Sequence, residues 1–177
     1  MSTPAPNVLV VYGSKHGATR EIGEAIAHRL EDDGLNADCA SAADVDDLGP
    51  YNAVVLGSAV YMGRWRREAR RFLAHHRKEL AERPVWLFSS GPIGTDKDPQ
   101  ESEPRKAVRE AERLDARDHV VFPGRVPLHP RGRIEQALAR SVAEDERDAR
   151  DWGEIERWAD TIAHSLGATT THLVEGG

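Results

Sequence analysis

The chain has 177 residues, with 24 Lys+Arg against 30 Asp+Glu, a formal net charge of -6 and 39% hydrophobic residues. One globular domain accounts for that length, and the acidic balance argues against a generic nucleic-acid binder, which is normally basic. The longest apolar runs, such as Val8-Leu9-Val10-Val11-Tyr12, fall far short of the ~20 residues that a bilayer demands.

The segment before Asn7 lacks the basic region and apolar stretch of a signal peptide. Cys39 is the only cysteine, so no internal disulfide framework exists and a cytoplasmic location is expected. Val8 to Tyr12 predicts a strand buried on both faces. Gly13 to Gly17 interrupts it. From Ala18, apolar residues Ile22, Ala25, Ile26 and Leu30 recur at helical spacing until Gly34. A short second strand is predicted near Leu35–Ala40 and a buried third over Ala53–Gly57. Trp65, Ala69, Phe72, Leu73, His76 and Leu80 form one helical stripe. Pro84 closes it and opens a strand over Val85–Ser89. Residues 98–118 are dense in charge, with Ala107, Val108, Ala111 and Leu114 as the thin apolar face of a surface helix. His119–Phe122 predicts a fifth strand, and Trp152 to Leu166 a strongly amphipathic last helix. Trp86, Trp152 and Trp158 are expected in the core. Residues 1–6 and 167–177 are expected to be flexible flanks of one domain over 7–166.

Apolar strands alternating with helices define a parallel sheet covered on both faces. The expected fold is a three-layer α/β/α sandwich with a five-stranded sheet in the order 2-1-3-4-5. Such sheets bind ligands beyond the carboxyl ends of their strands, where the order reverses between strands 1 and 3. The loops to inspect are 13–19, 57–65 and 89–98.

The first loop, Gly13-Ser14-Lys15-His16-Gly17-Ala18-Thr19, has the makings of a phosphate nest. Ser14 and Thr19 offer hydroxyls, the glycines let N–H groups turn inward, and a helix N-terminus follows. A tight turn with a Ser or Thr cap would use the same residues. A Walker A loop is excluded, because Ala18 stands where its lysine belongs, and G-x-G-x-x-G fails at Gly13-Ser14-Lys15. Leu56-Gly57-Ser58-Ala59 is not a hydrolase elbow. Eight histidines invite a metal, but none pairs at i, i+4 and no Cys/His cluster exists, so no metal is expected.

Ser14-Lys15-His16-Gly17-Ala18-Thr19 resembles the flavodoxin phosphate loop, with His16 in place of its middle threonine. Leu56 to Arg64 resembles the second flavin loop of one branch, the flavodoxin-domain proteins related to menaquinone-dependent protoporphyrinogen dehydrogenase. Ser89-Ser90-Gly91-Pro92-Ile93-Gly94 and Asp151-Trp152-x-x-Ile155 resemble the same branch, and the likeness covers roughly residues 7–166. It implies FMN as cofactor. By motif, Ser14, Lys15, His16, Gly17, Ala18 and Thr19 belong to the phosphate site. Ser58, Ala59, Val60, Tyr61 and Met62 belong to one side of the ring, and Ser90, Gly91, Pro92, Ile93 and Gly94 to the other. Trp65 suits core packing as well as stacking on the ring. No aromatic stands in the third loop, where simple flavodoxins place a stacking tyrosine, which leaves one flavin face open.

Arg64 and Arg67, with Arg66, Arg70 and Arg71 beside them, and Arg125 and Arg131 further on, suggest a basic rim for a substrate or partner. The same arginines could simply pair with neighbouring acids. Glu144 to Arg150 is almost all charge, unlike the apolar or basic insertion of the membrane-associated dehydrogenases. The resemblance implies an FMN-dependent oxidoreductase moving electrons between a small organic substrate and an acceptor. The alternatives are an electron carrier docking with a redox partner protein and a flavodoxin-like domain that has lost its flavin.

Overall fold

Val8, Leu9, Val10 and Val11 are each at most 2% exposed, because a central parallel strand is covered by helices on both faces. The computed structural model describes residues 3–61, 63–91, 109, 112–126, 129–141 and 147–168. The strands are β1 (Asn7–Gly13), β2 (Asn36–Ser41), β3 (Ala53–Tyr61), β4 (Arg64–Trp65), β5 (Val85–Gly91) and β6 (Asp118–Pro123). The helices are α1 (Ala18–Asp32), α2 (Arg67–His75), α3 (Arg77–Ala81), α4 (Arg133–Ser141) and α5 (Trp152–Ser165).

The sheet runs β2-β1-β3-β5-β6, all parallel, and β4 pairs antiparallel with β3 off that path. Without the two-residue β4 this is the expected order 2-1-3-4-5. Alternation along the strands divides the core in two. Val8, Val10, Val55, Trp86 and Phe88 meet Ile22 and Ile26 of α1 and Ile155, Trp158 and Ile162 of α5. Leu9, Val11, Val54, Leu56 and Leu87 meet Ala69, Phe72 and Leu73 of α2 and Leu80 of α3.

Four local expectations change. First, β3 continues past Gly57 to Tyr61, because its end pairs with β4 through Val60↔Trp65 and Tyr61↔Arg64. The expected loop over 57–65 is therefore largely a hairpin. Second, Trp65 lies in β4, and the helix expected from it divides at His76. The His76 side chain is 2% exposed, with Nδ1 2.8 Å from Glu79 Oε1 and its ring centroid 4.7 Å from that of Phe72. The apolar stripe survives the break, so its spacing mimics one helix. Third, α4 was not expected. Fourth, Trp152 is 40% exposed, with the Arg150 guanidinium 4.6 Å from its ring centroid, whereas Trp86 and Trp158 are buried. Of the stripe expected over 98–118, Leu114 is buried in the second core. Ala107, Val108 and Ala111 lie outside the described residues. Asn36 N–H donates to the Pro6 carbonyl at 3.1 Å, which holds the entering chain to the start of β2.

Candidate functional site

A cleft opens at the carboxyl ends of β1, β3 and β5, where sheets of this order bind their ligands. Ser14, Lys15, His16, Ala18 and Thr19 form one wall. Ala59, Val60 and Tyr61 form a second, with Arg66 beside them. Ser90 and Gly91, the adjoining segment 124–125, and Glu135 complete the lining.

The first wall follows from a left-handed residue. Gly17 has φ +86° and is the N-cap of α1, with no side chain capping the helix. A Cβ is disfavoured in that region. Ser14 Oγ instead accepts the Gly17 N–H at 3.1 Å, closing the loop on itself. The first helical bond is Glu21 N–H to Gly17 O, 3.0 Å. The N–H groups of Ala18, Thr19 and Arg20 precede it and carry the partial positive charge of the helix end. Thr19 is 1% exposed yet lines the cleft.

The second wall is fixed by Ser58, which is fully buried and absent from the cleft surface. Its Oγ accepts the Arg66 N–H at 2.8 Å and donates to the Ala59 carbonyl at 2.9 Å. Ser58 therefore holds the hairpin closed. Tyr61, at the cleft edge, is 37% exposed, with Lys15 Nζ 5.1 Å from its ring centroid. Trp65 is a core residue, 5% exposed, with Nε1 bonded to Ser89 Oγ. Met62, Pro92, Ile93 and Gly94 lie outside the described residues.

The remaining wall holds residues that the sequence reading missed. A Cβ on Gly124 would stand 2.0 Å from the Gly91 carbonyl oxygen, so only glycine lets this segment lie against the end of β5. Glu135, on α4, is 3% exposed. Its Oε1 accepts from Lys15 Nζ and lies 3.0 Å from His16 Nε2, and its Oε2 accepts the Arg131 N–H at 2.6 Å. The Lys15 ammonium foremost, then the His16 ring and the Arg131 N–H, outweigh desolvation and hold the carboxyl at about 2.

The expected rim is only partly assembled. Arg125 and Arg66 line the cleft, each with an acid nearby: Glu21 at 3.4 Å and Glu68 at 3.3 Å. Arg64 is exposed on β4. Arg67 lies apart, lining a second groove with Asp46, Arg71 and His75. Arg131 contributes its backbone N–H to Glu135. Behind Arg125, Arg150 bonds both Glu21 and Asp148, and the Arg150 guanidinium draws the Asp148 carboxyl below its ordinary range. Among the described residues no group of three or more His, Cys, Asp or Glu could hold a metal ion. No described helix is long and apolar enough to cross a membrane.

Solved structures share this architecture. A flavodoxin from the domain Archaea aligns with a TM-score of 0.58 at 16% identity, covering 91% of this chain and 99% of that one. The flavodoxin of Streptococcus pneumoniae TIGR4 gives 0.59 at 19%, over 90% and 99%. Rubredoxin oxygen:oxidoreductase from Desulfovibrio gigas gives 0.64 at 14%, over 93% of this chain and 37% of that one. The fold is thus flavodoxin-like. The flavodoxin domain family matches residues 9–149, and the chain belongs to that family. Its cofactor is FMN. Protoporphyrinogen IX dehydrogenase (quinone) of Escherichia coli strain K12 is 26% identical over 83 residues, 46% of each chain. The match spans about half the length of such curated relatives.

The donor set suits FMN. A helix N-terminus with two hydroxyls nearby matches a phosphomonoester, and an aromatic edge at Tyr61 matches a flat ring.

Proposed function

We propose that this protein is an FMN-dependent oxidoreductase acting on a small organic substrate. The observation that carries this reading is the lining of the cleft, which brings the exposed Tyr61 ring, with Lys15 near it, into one site with Arg66 and Arg125. Each cation there keeps an acid beside it, Glu135, Glu68 and Glu21 in turn, and an anionic substrate would have to compete with these. Bound FMN supplies the electron chemistry, and the protein supplies orientation and electrostatics. Ser14, His16, Gly17, Ala18 and Thr19 hold its phosphate. Ala59, Val60 and Tyr61 line one side of the ring, and Ser90 and Gly91 approach the other. Ser58 acts indirectly, through the hairpin, and Lys15 through Glu135 and Tyr61.

The similarity to protoporphyrinogen IX dehydrogenase makes a carboxylated porphyrinogen as donor, with a quinone as acceptor, the first pair to test. Arginine forks suit carboxylates. Anaerobic turnover by the FMN-loaded protein, followed by porphyrin absorbance, supports the reading. Rapid electron exchange with a redox protein, without turnover of porphyrinogen or quinone, supports a carrier instead. The exposed arginines of α2, Arg67, Arg70 and Arg71, favour that second reading as a docking face for an acidic protein.

A further inference from the structure

Glu135 lies outside every motif that marks the flavin site, yet it sits in its wall. Three donors converge on its carboxylate, and two of them, Lys15 and His16, are side chains of the phosphate loop. Arg66 and Arg125, which line the same cleft, have Glu68 and Glu21 as neighbours. Lys15 also faces the Tyr61 ring. The Lys15 ammonium and the His16 ring of the loop are therefore already engaged by an anion of the protein itself.

We infer that Glu135 is a built-in counter-anion that competes with a phosphomonoester for Lys15 and His16. This rests on the reading of the cleft as a phosphate-binding FMN site. A phosphate dianion entering the nest meets a carboxylate in the same cleft, and like charges at short range oppose one another. To bind in the nest, phosphate must take Lys15 and His16 from Glu135, so α4, which carries Glu135, sets the affinity of the loop. Ligands without phosphate do not compete for these donors and are insensitive to Glu135.

The test is titration of flavin-free wild-type protein and of Glu135→Gln with FMN, riboflavin and inorganic phosphate, using flavin fluorescence and calorimetry. Glutamine keeps the shape and an acceptor for the Arg131 N–H while removing the charge. The variant is expected to bind FMN and inorganic phosphate roughly tenfold more tightly, about one charge-assisted hydrogen bond's worth, with riboflavin unchanged. Unchanged or weaker binding of FMN and phosphate by the variant overturns the inference. Should the variant fold poorly, hydrogen exchange on the wild-type protein decides. Protection of α4 falls on adding phosphate if Glu135 is displaced, whereas rising or unchanged protection overturns it. A wild-type protein that binds neither flavin refutes the FMN reading, and the inorganic-phosphate arm still reports on Glu135.

Discussion

Trp65 Nε1 donates to Ser89 Oγ at 2.8 Å, tying the β3–β4 hairpin to β5 beneath the cleft. Ser89 Oγ also lies 3.0 Å from His119 Nε2, so β6 joins the same buried junction. Trp65→Phe removes the donor and leaves a small void, and Ser89→Ala strands a buried indole N–H. Each is expected to cost about 1–3 kcal/mol. The double variant should cost less than the sum, because one hydrogen bond is counted twice. Urea unfolding of the four proteins measures this; strict additivity shows that the bond does not couple the two residues.

Thr19→Ala is expected to weaken FMN binding by about 1–2 kcal/mol by removing a hydroxyl donor from the loop. Ser14→Ala acts differently, since Ser14 Oγ already holds the Gly17 N–H. It should loosen the loop and reduce both FMN affinity and the Tm of the flavin-free protein. Fluorescence titration beside thermal melts separates the two; early melting of both variants with normal FMN affinity assigns the loop a structural role.

Acid stability should report Glu135. Its carboxyl is lowered from 4.5 to about 2 in the folded protein. A depressed folded value stabilises above the unfolded value and is lost as pH falls through the folded one. The ion cluster thus contributes fully above pH about 4.5 and fades towards about 2. Relative to wild type, Glu135→Gln should lose less stability across that window, measured by urea unfolding at successive pH values. Parallel pH curves contradict the assignment.

Charge reversal should rank the arginines by position. Arg125→Glu places negative charge in the cleft wall and should lower the midpoint potential of bound FMN by tens of millivolts, where ~59 mV is a tenfold change for one electron. Arg67→Glu, in the second groove, should leave it nearly unchanged. Added salt should reduce the Arg125 effect by screening. Equal shifts in the two variants contradict the placement of Arg125.

The layers and strand order were legible because Val8–Tyr12, Ala53–Gly57 and Val85–Ser89 are apolar runs of strand length between helical stripes. The turn formed by Ser14, Gly17 and Thr19 ahead of α1 was legible because it is local in sequence. The hairpin was not, since Ala59 to Tyr61 become strand only by pairing with Arg64 and Trp65. Ser58 reads as a site hydroxyl, but strand alternation turns it inward, where the Arg66 N–H claims it. Glu135 carried no signal at all: one acid in a charged stretch acquires its role from Lys15, 120 positions away. The nearest clue was Gly132, whose φ of +92° marks the turn into a helix too short and charged to announce itself.

The strand order also sets which parts of the molecule open first. β1, β3 and β5 are interior strands, while β2 and β6 are edges. The nest, the hairpin and Ser90 hang from interior strands, whose amides should exchange only on global unfolding. Arg125 and Glu135 follow the edge strand β6. Partial opening from that side would free the wall bearing them while the nest stays formed. Cofactor exchange could then proceed through a sub-global fluctuation far less costly than unfolding the domain.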